Sequence, residues 1–140
     1  MREILFRAKI VDDGEWVYGA YHYSADSKYH YILSLEKFLE RDSELSLHNK
    51  EVYFVIPESV GQFTGISDIN DVKLFEGDIV NGCCFNGSYA FGVISFYESS
   101  FVVLPIGKFI EGISDVKSNI IERIGNIHDN PELAQSQSCT

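Results

Sequence analysis

The feature that most constrains the fold of this chain is a glycine-punctuated apolar stretch that covers residues 60–80. Gly61, Gly65 and Gly77 stand where the apolar pattern breaks, as expected where a chain turns with positive φ or packs backbone against backbone. Between its two apolar parts, residues 67–71 carry side chains that hydrogen-bond their own backbone, which favours a turn. Strand, turn, short arm and strand is a common opening of a small barrel. We therefore predict that this stretch forms the corner of a β fold.

Apolar residues alternate with polar ones on both sides of this corner, and that period of two predicts further strands. Residues 3–10 form the first strand, and an Asp-Gly pair at 13–14 favours a hairpin into a second strand over 16–23. A third strand over 29–33 completes an N-terminal β-meander. Asn-Gly at 86–87 marks a later hairpin. The other predicted strands cover residues 51–56, 79–80, 88–97, 101–104 and 120–127.

One short helix is predicted over Ser34–Leu47, where apolar residues recur at helical spacing and Ser34 suits an N-cap. The fold class is accordingly mainly β, or α+β at most. With 140 residues, the chain is long enough for one domain, which we place at residues 1–133. Residues 134–140 are polar and are expected to form a disordered tail.

The acidic balance of the chain argues against several classes of partner. A formal net charge of −10 disfavours unspecific binding to nucleic acid, which needs clustered Lys and Arg, and disfavours anionic membranes. The early charges at the N-terminus do not resemble a signal peptide, and no apolar run approaches the roughly 20 residues that span a bilayer. Cys83 and Cys84 are adjacent, which makes a disulfide between them improbable, and as strand neighbours they would point to opposite faces. These features predict a soluble protein in a reducing cytoplasm.

A pattern in fixed order is carried by residues 1–8, 16–19, 60–65 with 75–80, and 124–133. These segments resemble, in this order, the opening, the second landmark, the central landmark and the C-terminal landmark of the YopX family of phage and prophage proteins. The order and approximate spacing of these segments agree with those of the family over residues 1–133. The residues that carry the central and C-terminal resemblance, and that we single out as a structural motif, are Gly61, Gln62, Thr64, Gly65, Asp68, Glu76, Gly77, Asp78, Gly125, Asn126, Asn130 and Pro131.

The resemblance implies a mainly β fold with a small SH3-like barrel in its later part, carried by a phage or an integrated element of a bacterium. It implies a homo-oligomer, and it implies no catalytic residue. Two departures stand out. The turn at 68–71 lacks the glycine usual near its end, so its geometry is open. The segment 34–50 looks longer than usual for the family.

Oxygen-bearing side chains crowd the corner, and such groups can hold calcium or magnesium. Their spacing does not reproduce a calcium loop, which needs a glycine at its sixth position and a distal bidentate Glu. We therefore interpret them as turn-forming acids, with a carboxylate that caps free backbone N–H groups, and we predict no metal and no cofactor. The side chains concerned are Asp68, Asn70, Asp71, Glu76 and Asp78.

Glu76 and Asp78 deserve a second hypothesis, because two carboxylates on one face of an extended chain can act as acid and base when burial separates their pKa values. No nucleophile or basic partner lies nearby in sequence, so a structural role is favoured. The histidines show no metal-ligand spacing, although His22 and His30 could meet across a sheet. The complete set of histidines is His22, His30, His48 and His128.

Five tyrosines lie in or beside the N-terminal meander, and three uses are open for them. They can belong to the core, form a protein interface where Tyr is enriched, or stack unpaired bases. Base stacking also requires a basic groove, and the only basic residues near these tyrosines in the sequence are Lys9, Lys28 and Arg7. The tyrosines are Tyr18, Tyr21, Tyr23, Tyr29 and Tyr31.

Together these observations predict a non-enzymatic phage or prophage accessory protein that binds itself or a host or phage protein. Direct binding to nucleic acid and membranes is not expected. One alternative is an acidic mimic of the phosphate backbone that inhibits a host nucleic-acid-binding protein. Another is an uncharacterised enzyme that uses Glu76 and Asp78.

Overall fold

The computed structural model describes residues 3–34, 51–107, 112–116 and 120–136, and most of them lie in two antiparallel sheets. This confirms the predicted mainly β fold class. The chain divides into two units, Met1–Phe63 and Thr64–Thr140, which are described in turn. The single domain over residues 1–133 and the SH3-like barrel stay predictions.

The first unit begins with the predicted meander, because its first three strands are consecutive antiparallel neighbours. A fourth strand pairs with the third, and a 3-10 turn follows that begins at Pro57, as suits a residue with fixed φ. The strands are β1 (Phe6–Lys9), β2 (Trp16–Tyr23), β3 (His30–Ser34) and β4 (Glu51–Phe54), and the 3-10 turn is Pro57–Ser59.

The four strands of this unit close on themselves, because the chain after β4 returns to the end of β1. Val11 N–H donates to the Phe54 carbonyl and Ile56 N–H donates to the Lys9 carbonyl, both at 2.9 Å. An isolated bridge between Ile10 and Val55 lies between these two bonds. Closure satisfies backbone groups that an open edge would leave unpaired. The enclosed core consists of Ala8, Ile10, Val17, Ile32 and Val55.

The remaining strands are β5 (Gly61–Ser67), which starts in the first unit, β6 (Lys73–Phe75), β7 (Asp78–Phe85), β8 (Ser88–Tyr97), β9 (Ser100–Pro105), β10 (Ser114–Asp115) and β11 (Glu122–Asn126). In the second unit, β6 pairs with β5, and the other five strands form an antiparallel sheet in the order β10-β9-β8-β7-β11. The longest hairpin of this sheet turns at Asn86 and Gly87, with φ of 49° and 88°, which confirms the predicted Asn-Gly turn.

The core of this unit is drawn from alternate residues of the long strands. Cys83 is buried and Cys84 is exposed, as predicted for neighbours in a strand. Leu74 of β6 and Ile121, which immediately precedes β11, are both fully buried. The buried cluster consists of Leu74, Val80, Cys83, Phe85, Ala90, Ile94, Val103, Val116 and Ile121.

β pairing extends one residue beyond the predicted third strand. Ser34 is the last residue of β3, buried and paired with Gly19 and Glu51. From residue 35 onward, the helix predicted over Ser34–Leu47 lies outside the described residues, and Ser34 as its N-cap stays a prediction. A short helix that the sequence did not predict, α1, runs from Pro131 to Ser136, across the end of the predicted domain and into the predicted tail. Pro131 begins this helix, and proline is well suited to the first helical position because its missing N–H would have no partner there.

No helix among the residues that the structure describes is both long enough and apolar enough to cross a membrane.

Candidate functional site

Asp68 is the centre of the polar structure at the predicted corner. Its Oδ1 accepts from the N–H groups of Asn70 at 2.8 Å and Val72 at 3.0 Å, which closes the turn between β5 and β6. Its Oδ2 accepts from Arg123 N–H at 2.8 Å. The side chain therefore caps backbone N–H groups, as predicted, and it also ties the turn to β11.

Burial alone would raise the pKa of the Asp68 carboxyl, because it disfavours the charged form. The three backbone N–H donors and the positive charge of Arg123 more than offset this effect, so the pKa lies below its ordinary value. An ionised acceptor with three donors is a stable arrangement. The absent glycine of this turn is replaced by Asp71, which takes the left-handed conformation itself with φ of 63°.

Asp78 is a second carboxylate with a structural task. Its side chain is 0% exposed. Oδ2 accepts from Phe75 N–H at 2.8 Å and Oδ1 accepts from Arg123 Nε at 3.0 Å. Arg123 therefore contacts Asp68 through its backbone and Asp78 through its guanidinium. Sequence reasoning missed Arg123, because no local pattern marks a residue whose partners lie 45 and 55 positions away.

The expectation that Glu76 and Asp78 share a strand face is wrong. Glu76 and Gly77 form a turn between β6 and β7, with φ of 87° at Gly77. Because the chain is not extended there, the alternation on which that expectation rested does not apply. Gly77 connects this turn to two other segments, because its N–H donates to the Ile94 carbonyl and its carbonyl accepts from Ile127 N–H.

The C-terminal part of the motif is a loop between β11 and α1 that is held largely by its own side chains. Asn126 is buried, and its Oδ1 accepts from the N–H groups of His128 at 2.9 Å and Asp129 at 2.8 Å. Asn130 Oδ1 accepts from Asn126 N–H at 3.2 Å. Gly125 makes room for this contact, because a Cβ there would lie 2.5 Å from Asn130 Oδ1. Pro131 then begins α1.

The remaining motif residues lie in β5. Gly61 and Gln62 pair with Arg7 and Phe6 of β1. Thr64 Oγ1 accepts from Ile66 N–H at 3.2 Å across Gly65, whose φ is 89°. As far as the chain is described, no group of three or more His, Cys, Asp or Glu side chains is arranged to hold a metal ion.

A different kind of site lies on the outer side of β2, β3 and β4 in the first unit, opposite the enclosed core. Strand register places six side chains there in two rows across the three strands. Val52 and Phe54 are 50% and 57% exposed. We call this surface the aromatic face; it consists of Ala20, His22, Tyr31, Leu33, Val52 and Phe54.

The rings of the aromatic face contact one another. His22 stacks on Tyr31 at 5.7 Å between centroids, and Tyr31 meets Phe54 edge-on at 6.4 Å. Tyr29 adjoins Phe54 at 6.2 Å. Cross-strand aromatic pairs stabilise sheets, so the face is ordered without a partner. Sequence reasoning found the tyrosines but missed Val52 and Phe54, although the alternation within 51–56 was a signal for them.

His22 and His30 do not meet across the sheet. His22 lies opposite Tyr31 and His30 opposite Tyr23, so the two imidazoles point to opposite faces. His30 Nε2 contacts the Ser27 carbonyl at 3.1 Å and its Nδ1 contacts the Tyr21 hydroxyl at 2.6 Å. Because a carbonyl only accepts, Nε2 donates, and in the neutral ring Nδ1 accepts from Tyr21. Burial, with a smaller effect of Tyr23, raises the pKa of Tyr21.

Beside the aromatic face, the first unit has a surface pocket of about 350 Å³. Tyr29 and Phe54 belong to its walls, and the buried Val55 lines it as well. We call it the Lys28 pocket; its lining residues are Val11, Lys28, Tyr29, His30, Phe54, Val55 and Pro57.

Comparisons with known proteins bear on the fold and on the family. No curated protein is similar enough to this chain to count as a relative. The crystal structure of protein EF1440 from Enterococcus faecalis has a TM-score of 0.56 and 18% sequence identity, and the match covers 96% of this chain and 99% of that one. At that identity the likeness concerns the fold alone. The family model described as YopX protein matches residues 5–135, which cover almost all of the chain, and the chain therefore belongs to the YopX family.

Proposed function

We propose that this chain is a non-enzymatic accessory protein of a phage or prophage, active in the bacterial cytoplasm through protein–protein interaction or self-association. The observation that carries the proposal is the aromatic face. It is an exposed surface with half-exposed Val52 and Phe54, built on paired strands rather than on a loop.

The composition of the aromatic face suits a protein interface. The chain contains 21 Asp and Glu and 11 Lys and Arg, yet none of these residue types belongs to the face. Interface cores are depleted of charged residues and enriched in aromatic ones. A partner that docks there meets no carboxylate among the six side chains of the face, and two copies of the chain can bring these six positions together without placing carboxylates of the face opposite one another.

The use of the motif carboxylates supports a role without catalysis. The oxygens of Asp68 accept from three backbone N–H groups, and those of Asp78 accept from Phe75 N–H and the Arg123 guanidinium. A catalytic carboxylate needs access to a substrate proton. Both side chains are buried and bonded to the fold itself.

The proposal is tested by disrupting the aromatic face and measuring assembly. Val52→Asp introduces a carboxylate into the face, and Phe54→Ser removes a ring that is 57% exposed. Val72→Asp and Phe96→Ser are matched controls, since Val72 and Phe96 are exposed apolar residues of the second unit. Light scattering over a concentration series measures self-association. Affinity capture from host lysate measures the binding of a different protein.

We expect both face variants to lose the assembly that the wild type and the controls keep, with unfolding transitions that show each variant to be folded. A strict monomer that captures no specific protein would overturn the proposal. A complex that forms equally well with Val52→Asp and Phe54→Ser would also overturn it. A complex with a host DNA-binding protein that dissociates at high salt and tolerates Phe54→Ser would favour the acidic mimic instead.

A further inference from the structure

The Lys28 pocket has preformed walls. In the loop between β2 and β3, Ser24 Oγ accepts from the N–H groups of Lys28 and Tyr29, both at 3.1 Å. Asp26 Oδ1 accepts from the Ser24 hydroxyl at 2.5 Å and from Lys28 N–H at 3.1 Å. These bonds hold the backbone of Lys28 and Tyr29 in place. A pocket whose walls are already ordered binds at a lower entropic cost.

The opposite wall is fixed by strand pairing. Val55 N–H donates to the His30 carbonyl at 3.0 Å, and the Phe54 carbonyl accepts from Val11 N–H at 2.9 Å. The rings of Tyr29 and Phe54 are inclined at 56° with centroids 6.2 Å apart. Aromatic side chains favour tilted and offset partners, so this pair offers faces and edges to a third ring.

The charge of the pocket comes from one side chain. Lys28 is the lining residue with a permanent formal charge, and its ammonium takes part in no ion pair within the described part of the chain. The nitrogens of His30 are already engaged with Tyr21 and Ser27. The carboxylate of Asp26 is turned to the loop's own donors.

We infer that the Lys28 pocket receives an aromatic side chain of a partner protein that carries a carboxylate next to it. The volume of about 350 Å³ is at the lower end of ligand sites, which run from roughly 300 to 1,000 Å³, and it suits one side chain better than a cofactor. The apolar walls take the ring and the Lys28 ammonium meets the carboxylate. The inference rests on the proposed function and names the chemistry of the partner.

The test uses the full ¹⁵N-labelled chain and three capped tetrapeptides titrated by NMR. The probe is acetyl-Ser-Phe-Glu-Ser-amide, and the comparison peptides replace its Glu with Gln or its Phe with Ala. We expect the probe to shift the amide signals of Lys28, Tyr29, Phe54 and Val55. The Gln peptide should bind roughly two- to five-fold more weakly, the range of an exposed ion pair, and the Ala peptide should not bind.

Variants of the protein separate the two contributions. Lys28→Gln should abolish the difference between the Glu and Gln peptides, and Tyr29→Ala should weaken both. Lys73→Gln and Tyr89→Ala replace exposed residues of the second unit and should change neither titration. Both Lys28 and Tyr29 are exposed, so their variants are expected to fold.

Equal affinity for the Glu and Gln peptides, shifts centred away from the pocket, or no shifts at millimolar peptide would each overturn the inference. The outcome is independent of the assembly test, because Val52→Asp alters the aromatic face but not the pocket lining. Assembly that fails in Val52→Asp while the peptides fail to bind would leave the proposed function standing and remove only the inference.

Discussion

At the scale of single residues, Asp68 shows how one side chain can organise a distant strand. Its carboxylate joins the turn after β5 to β11 through Arg123 N–H, 55 positions along the chain. An ionised carboxylate can accept hydrogen bonds from several backbone N–H groups at once. Without it, these N–H groups would need water as their acceptor. The residue is therefore a structural element rather than a reagent.

Replacing this carboxylate should be costly. Asp68→Asn keeps the shape but leaves one acceptor oxygen and turns an NH₂ group toward a backbone donor. We expect a loss of about 1–3 kcal/mol in the free energy of unfolding, the penalty of an unsatisfied buried group. Urea unfolding at pH 7 measures it. The control Asp71→Asn, at an exposed turn position that Asn tolerates with positive φ, should stay within about 0.5 kcal/mol.

The difference in stability between the wild type and Asp68→Asn should depend on pH. The pKa of Asp68 is lower in the folded than in the unfolded chain, so its contribution is fully present above the ordinary value of 3.8 and is lost as pH falls through the folded value. The gap in stability between wild type and Asp68→Asn should therefore shrink below that pH. A gap that stays constant, or widens, on acidification would show that the carboxylate charge is not the source of the effect.

At the scale of elements, the β7–β8 hairpin combines a local turn with an irregularity that lies against a distant segment of the chain. Asn86 and Gly87 form the turn from their own preferences. Register shifts between Val80 and Cys83, where Gly82 has φ of 102°. A Cβ at Gly82 would meet the Ile120 carbonyl, whereas a Cβ at Gly87 would meet nothing within 4 Å.

These two glycines should respond differently to alanine. Gly87→Ala carries only the cost of a left-handed conformation, about 1–2 kcal/mol. Gly82→Ala adds a collision with backbone that cannot move aside, so we expect a loss of about 3 kcal/mol or more. Thermal or urea unfolding compares them. Equal losses would mean that the Ile120 backbone does not restrict the bulge.

At the scale of the whole molecule, the dominant quantity is the net charge of −10. Like charges oppose the compact state, since folding brings them closer together. The aromatic face stands out against this background because it carries none of them.

Screening should therefore stabilise the protein. Raising ionic strength from about 0.01 M to about 0.15 M shortens the Debye length from about 30 Å to about 8 Å. We expect the urea midpoint to rise over this range, and urea is suitable because it adds no ions. Sodium and potassium chloride should act alike. A midpoint that falls with salt would indicate that attractive ion pairs outweigh the repulsion.

The sequence by itself determined the features that depend on near neighbours. Alternation gave the strands of the meander, the Asn-Gly pair gave the turn at 86–87, and adjacency placed Cys83 and Cys84 on opposite faces. The motif landmarks gave the family over nearly the whole chain. Preferences of this kind act over a few residues, so a local pattern contains them.

Only the tertiary structure decided which distant residues meet. Arg123 joins Asp68 and Asp78, Phe54 lies next to Tyr31 on the aromatic face, and the turn at Gly77 separates Glu76 from Asp78. Strand register sets these contacts, and register depends on pairing between segments far apart in the chain. A shift of one residue sends a side chain to the other face, which is why His22 and His30 point apart.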